Sequence, residues 1–348
     1  MKIAKIINET IQKTTTYLLL LVIIITFPGC NNIYNNKYLS DSANGIYFDT
    51  IISITIYDTN NETIKTNLQS CLDICQKYEQ LLNANIEGSD IYKINNSNGE
   101  TINLSEETIY LLDKSLQYSE LSNGLFDITI KSATSLWDFH EEKGVIPDVN
   151  LINNALEHIN YKNLSIDKTN HTAILNDPDS QIDIGGIAKG YIADKISEYL
   201  NEQAVHGAII NIGGDITLIG NKNENENFNI GITNPFKDTN PILAINTTNK
   251  AIATSGTYER AFTYNNKSYH HILDPKTGFP VETDVISATT ITDKGIDADT
   301  LCTISILLGS DEAIKLIENI PNTEAIIICQ DQSILYTSGA KSYINSSM

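Results

Sequence analysis

Arginine is nearly missing from this sequence: Arg260 is the single one in 348 residues. A phosphate-bearing ligand would therefore be held by a metal ion, by backbone N–H groups or by a few lysines rather than by an arginine clamp. Positive charge is scarce altogether, with 23 Lys and Arg against 43 Asp and Glu, a formal net charge of −20 and a pI near 4.6. That balance excludes a general nucleic-acid binder, which needs cations to displace counterions from phosphates. The chain has no CxxC pair, no Cys/His cluster at metal-ligand spacing, no GxGxxG fingerprint, no P-loop and no internal repeat. Wholesale disorder is excluded by the 41% hydrophobic content. The length suffices for one large domain or two modest ones with a real core.

The N-terminus carries an export signal. Lys2, Lys5 and Lys13 precede an apolar run from Leu18 to Ile25, followed by Thr26-Phe27-Pro28-Gly29-Cys30. The run falls short of the roughly 20 apolar residues of a spanning helix and has the form of a secretory signal. Gly29-Cys30 resembles a bacterial lipobox, in which the cysteine is lipidated and becomes the new N-terminus; Phe27 and Pro28 depart from its usual residues, and an uncleaved signal anchor is the other reading. Both place the rest of the chain outside the cytoplasm. Cleavage would remove three lysines and one glutamate and leave a still more acidic protein. We expect a signal peptide over 1–30, a polar tether over 31–44 and one catalytic domain over 45–348. Cys71, Cys75, Cys302 and Cys329 remain. Cys71 and Cys75 lie at i,i+4 beside Leu68, Leu72 and Tyr78 on a predicted helix and read as core thiols.

Periodicity predicts an α+β fold without simple βαβ alternation. Strands are expected at Ile51–Tyr57, Ile182–Ile184, Ala208–Ile212, Phe228–Ile232, Val285–Thr292, Ala325–Cys329 and Ile334–Thr337, with Leu243–Thr247 and Ala251–Ser255 as a strand pair. Helices are expected from Ile64 to Leu82, after Ser105, over Ile187–Leu200, over Asp297–Leu308 and over Asp311–Glu318.

Three stretches carry chemistry. In Asp183-Ile184-Gly185-Gly186-Ile187-Ala188-Lys189-Gly190-Tyr191, a strand runs through two glycines into a helix. Glycines permit close backbone approach, a helix start offers N–H groups to anions, and Lys189 adds charge one turn in. Tight packing explains such a joint equally well. Asn211-Ile212-Gly213-Gly214-Asp215 has the same character. His270-His271-Ile272-Leu273-Asp274-Pro275-Lys276-Thr277-Gly278 puts two titratable rings before a turn, which by itself can be only a turn with an exposed histidine. In Asp297-Ala298-Asp299-Thr300-Leu301-Cys302-Thr303, Asp299 and Thr303 share one helix face. A carboxylate and a hydroxyl there suit Mg²⁺, and a helix cap is the commoner meaning of such a pair.

Together these stretches resemble the ApbE family of FAD:protein FMN transferases, many of them lipoproteins. The matching pieces are Asp183–Tyr191, Asn211–Asp215, Ala253–Arg260, His271–Val281 and Ala298–Thr303. Upstream they include Gly124–Phe139 and the helix exit Leu81-Leu82 leading to Ser89-Asp90-Ile91 and Ile94-Asn95. The resemblance runs from about Ile46 to about Ser338. It implies a single compact, T-fold-related unit with mixed sheets and flanking helices. It also implies binding of FAD with Mg²⁺, transfer of FMN to a Ser or Thr of an acceptor protein, and release of AMP. Implied metal positions are the Asp299 and Thr303 side chains and the Gly186 carbonyl. Implied flavin contacts are Phe48, Asn85, Leu125, Phe126, Asp127, Asp183, Lys189 and Ile272. His271 falls on the family's motif histidine, a candidate base or orienter, and Asp299 serves catalysis through the metal. Where the family usually has Met-Gly-Thr, this chain has Phe48-Asp49-Thr50. Implied partners are exported flavoprotein subunits of membrane redox pumps, of the Na⁺-translocating NADH:quinone reductase or Rnf type, with the enzyme held at the membrane by lipid on Cys30 and no nucleic acid involved. An FAD pyrophosphatase and a non-enzymatic flavin-binding lipoprotein are the rival readings.

Overall fold

The computed structural model describes residues 38–139, 144–236 and 239–345. The signal segment and Cys30 lie outside the described residues. From Tyr38 onward the chain folds as one unit. Its strands are β1 (Leu39–Tyr47), β2 (Thr50–Asp58), β3 (Ile102–Asn103), β4 (Leu164–Asp167), β5 (Thr172–Leu175), β6 (Gly207–Ile212), β7 (Asp215–Gly220), β8 (Phe228–Ile232), β9 (Leu243–Thr247), β10 (Ala251–Gly256), β11 (Ala261–Tyr264), β12 (Lys267–His270), β13 (Val285–Thr292), β14 (Glu324–Cys329) and β15 (Ile334–Tyr336). Its helices are α1 (Asn61–Leu82), α2 (Asp90–Asn95), α3 (Glu106–Leu121), α4 (Lys131–Thr134), α5 (Val149–Leu156), α6 (Ala188–Glu202), α7 (Gly295–Leu308) and α8 (Ser310–Ile317).

An 8-stranded sheet in the order β1-β2-β6-β7-β10-β13-β14-β15 organises the molecule, and its neighbours are all antiparallel. Alternation in β2 buries Ile52, Ile54 and Ile56 on one face. That face receives α1, whose Ile64, Leu68, Cys71, Cys75, Tyr78 and Leu82 recur at helical spacing behind the Asn60 cap. α6 and α7 cover the same sheet further along, within the same apolar core. On the opposite face, the β8–β9 ribbon places Phe228, Ile230, Ile232 and Ile245 against Leu218, Ile252, Ile291 and Ile326 in a second core. A third cluster gathers Trp137, Phe262 and Leu273 beside β11–β12 and α5. The α+β class is as expected, and the four cysteines from Cys71 to Cys329 are buried free thiols.

Three expectations are corrected. Residues 39–44, assigned to the tether, belong to β1, which pairs along its whole length with β2. Polar side chains do not prevent an edge strand, because the ladder is made by the backbone. Leu243–Thr247 and Ala251–Ser255 are strands but not partners. The connection between them binds β7 instead, with Asn249 Oδ1 accepting from Gly220 N at 2.7 Å and Lys250 O from Leu218 N at 2.9 Å. β9 is thereby sent to β8, and β10 goes between β7 and β13. Ile182–Ile184 is not a strand. The Asn95 side chain takes the backbone N–H of Ile182 at 2.6 Å and donates to its carbonyl at 2.9 Å, occupying the groups a ladder would use.

Candidate active site

The site begins where α6 and α7 meet. A Cβ on Gly190 would stand 2.1 Å from the carbonyl oxygen of Gly295, so these helices touch backbone to backbone only because residue 190 is glycine. The approach lets Gly190 N–H donate to Asp299 Oδ2 at 3.0 Å. Lys189, in the first turn of α6, reaches Asp299 Oδ1 at 2.5 Å and Asp215 Oδ2 at 2.7 Å. Asp215 opens β7, and its Oδ1 accepts from Thr254 N at 3.3 Å. One ammonium thus lies between two buried carboxylates. Burial pushes Asp215 up to about 7; Asp299 adds to the rise and Lys189 opposes it. For Lys189, burial works against the charge, and the two carboxylates outweigh it to hold the ammonium above its usual range.

Asp194, one turn further along α6, caps α7 from outside. Its oxygens accept from Gly295 N at 2.6 Å and Ile296 N at 3.0 Å. α7 has no side-chain cap of its own, so the helix bearing Asp299 is held by α6 at its start and again at its second turn.

Oxygen donors collect beside Asp299. Thr303 follows one turn later, and its Oγ1 lies 3.2 Å from Ser255 Oγ at the end of β10. A Cβ on Gly186 would stand 3.7 Å from Thr303 Oγ1 and 3.1 Å from Phe126 Cε2, and glycine leaves that space clear. A carboxylate and hydroxyls, beside the backbone of Gly186, make a hard-oxygen set, which fits Mg²⁺.

Glu259, Arg260 and His271 border this cluster. Burial pushes His271 down to about 4, the charges of Arg260, His270 and Lys189 act in the same direction, and a backbone contact to Glu259 opposes them. The ring is therefore neutral at neutral pH, and its Nδ1 is buried without a hydrogen-bond partner. Partial desolvation raises Glu259, which is exposed at the rim, against the pull of Lys189 and Arg260. The chain's lone arginine thus stands at the site.

The structure brings Lys189, Gly186, Asp299, Thr303 and Phe126 together. Leu125 and Ile272 join Phe126 in the main core. Asp183 folds over its own loop, accepting from Gly185 N at 2.8 Å and Thr134 Oγ1 at 3.1 Å. Both Asp127 oxygens are occupied, by Thr129 and by Tyr161 N. Phe48 lies in a β1–β2 turn with positive φ and donates its N–H to Glu79 at 2.9 Å. That turn abuts the Gly213 turn, whose N–H bonds Ile51 O at 3.0 Å. Asn85 is exposed just past the Asn83 cap of α1, its N–H on Asn83 Oδ1, and no contact ties its side chain to the cluster.

Several N–H groups of the expected cradle of helix start and glycine turns already have partners within the chain. Ile187 and Ala188 donate to Ile184 O, Gly190 to Asp299, Gly213 to Ile51 O and Gly214 to Asn211. The anion seated at the start of α6 is the chain's own Asp299. Asp215, Ser255 and Glu259 lie in stretches legible as motifs, but nothing in the spacing gave them a role.

A mixed antiparallel α+β domain of this form is the fold of solved ApbE proteins. The structure of the ApbE protein from Thermotoga maritima superposes with a TM-score of 0.78 at 29% identity, covering 88% of this chain and 100% of that one. The flavin transferase ApbE from Vibrio cholerae, at 22% identity and a TM-score of 0.77, shares the fold over 88% and 99%. The family model described as "ApbE family" matches residues 48–327, and the chain belongs to that family. Curated relatives include an FAD:protein FMN transferase of Klebsiella pneumoniae, 30% identical over 87% of this chain and 93% of its own length. A protein of the same name from Treponema pallidum is 28% identical over 83% and 84%.

Proposed function

We propose that this protein is an FAD:protein FMN transferase that uses Mg²⁺, attaches FMN through a phosphoester to a Ser or Thr of an acceptor protein, and releases AMP. The observation that carries this is the convergence of Asp299, Thr303 and Gly186 with Lys189 and His271 beside them, in a chain whose similar proteins bear that activity in their names.

Asp299, Thr303 and the Gly186 carbonyl would hold the metal. When bound, Mg²⁺ supplies positive charge against the pyrophosphate and a Lewis acid for the departing AMP oxygen. The chain's own residues do the rest. Lys189 pairs with Asp299 and Asp215 and holds both carboxyl groups in place. Phe126 closes the side of the Gly186 gap. The His271 ring, neutral beside this cluster, is the candidate base for the proton of the acceptor hydroxyl. Position and charge matter more than a strong nucleophile in such transfers.

We further propose that the enzyme is lipid-anchored through Cys30 on the exported side of the bacterial membrane, where it meets exported subunits of Na⁺-translocating NADH:quinone reductase or Rnf-type pumps. The test incubates the purified protein with FAD, Mg²⁺ and a Thr-bearing acceptor peptide, then weighs the peptide. A peptide heavier by one FMN less one water, with AMP released, is expected. Free FMN beside an unmodified peptide would instead assign a pyrophosphatase, and FAD bound without any AMP would assign a binder.

A further inference from the structure

We infer that Ser255 and Cys302 form a hydrogen-bond chain that aims the Thr303 hydroxyl, which makes Ser255 a positioning residue of the candidate cation site; this rests on the metal-assisted function proposed above. Counting protons fixes the polarity of the chain. Cys302 is 1% exposed, and a carbonyl oxygen only accepts, so the sulfur bonded to one must be the S–H donor. Its one proton goes to the Asp299 carbonyl oxygen, 3.1 Å away. The same sulfur lies 3.0 Å from Ser255 Oγ. With the thiol proton spent, the serine hydroxyl is the donor in that contact. Ser255 Oγ is then left as an acceptor toward Thr303 Oγ1 at 3.2 Å.

Thr303 has a competing acceptor one turn back, the Asp299 carbonyl, but it is farther at 3.4 Å and already receives the thiol proton. Directing its proton to Ser255 leaves the threonine lone pairs for the opening beside Gly186. A hard cation binds a lone pair, and an O–H proton aimed into the same opening would repel it. Removing a partner that orients a ligand in this way typically costs about 10–100-fold in metal affinity. Ser255 is on β10 while Cys302 and Thr303 are on α7, so only tertiary packing brings them together.

The test uses Mn²⁺ as a spin-active probe, titrated into the purified protein and followed by electron paramagnetic resonance, with a thermal unfolding curve for each variant. Ser255→Ala is expected to weaken Mn²⁺ binding by about 10-fold or more with its unfolding midpoint unmoved. Ser255→Thr, which keeps the hydroxyl, is expected to restore the affinity. Cys302→Ala breaks the chain one link earlier, and Cys302→Ser, which retains a donor and an acceptor, should lose less than Cys302→Ala. The cysteine pair decides the matter if Ser255→Ala folds poorly. Wild-type Mn²⁺ affinity in Ser255→Ala and Cys302→Ala, with binding lost in Asp299→Ala, overturns the relay and leaves the cation site standing. Wild-type affinity in Asp299→Ala as well overturns the cation site itself.

Discussion

Replacing Lys189 by methionine, a side chain of similar length without charge, probes the centre of the site. The ammonium touches Asp299 Oδ1 at 2.5 Å and Asp215 Oδ2 at 2.7 Å. After substitution Asp299 keeps Gly190 N–H and Asp215 keeps Thr254 N–H, but each carboxyl group loses its ammonium partner while remaining buried, at 1% and 7% exposure. Removing one partner of a buried ion pair costs roughly 3–5 kcal/mol, because the remaining charge stays out of water. In a domain of this size that is a fall of about 6–10 °C or more in the unfolding midpoint, at roughly 2 °C per kcal/mol. The assay is urea and thermal unfolding at pH 7.5 in EDTA, so that no metal replaces the ammonium. Without the ammonium, Asp215, already raised to about 7, takes up a proton, and adding Asp215→Asn, which mimics that neutral form, should return at least about 1 kcal/mol, a coupling typical of contacting groups. A Lys189→Met protein within about 1 kcal/mol of wild type, where exposed pairs fall, would refute the buried three-charge cluster.

Asp194 gives a pH prediction. Burial outweighs its two backbone N–H donors and pushes it up to about 6 in the folded protein, so folding takes up a proton above the unfolded value near 3.9. Its contribution is full below about pH 4 and is lost as pH rises through about 6, worth roughly 3 kcal/mol at most. Asp194→Asn should flatten the fall of urea stability between pH 4.5 and 7, and identical slopes would contradict the assignment. Gly190→Ala forces a Cβ to 2.1 Å from Gly295 O and should cost about 3 kcal/mol or more, at or beyond the upper end for overpacking. In Gly45→Ala the new Cβ meets only the far end of the Tyr47 ring, and a change within about 0.5 kcal/mol is expected of such a surface site; calorimetry compares the two. Asp299→Asn should abolish FMN transfer to an acceptor peptide, read by mass spectrometry, and transfer at the wild-type rate would remove the metal assignment. Native protein treated with a thiol reagent should leave Cys71, Cys75, Cys302 and Cys329 unmodified until denatured. Burial pushes Cys71 and Cys75 up to about 12, so thiolate is scarce as well as covered.

Much of the scaffold is legible from local periodicity. Alternating isoleucines in Ile51–Tyr57 and the six-residue apolar stripe of α1 declare a strand and a helix, because one buried face imposes that spacing. Local signals fail where backbone groups find distant partners. Ile182–Ile184 has a strand's composition, yet Asn95, far upstream, takes its hydrogen bonds. Ala251–Ser255 follows Leu243–Thr247 closely, yet a turn bonded to Gly220 parts them. β1 is polar and could be recognised only through its ladder to β2.

The site divides in the same way. Asp299 and Thr303 share a helix face by spacing alone, and the glycine joints mark close backbone approach, so the sequence itself determined that an acid, an alcohol and a flexible backbone turn were available. It determined the acidity of the chain and the scarcity of arginine, which demand some other cation wherever phosphate is handled. Only the tertiary structure decided that Lys189 serves two carboxylates, that Gly190 N–H in the first turn of α6 donates to Asp299, and that Ser255 and Cys302 stand behind Thr303. Each of these pairings joins different elements at distances of about a hydrogen bond, and no rule of residue spacing reaches across a fold.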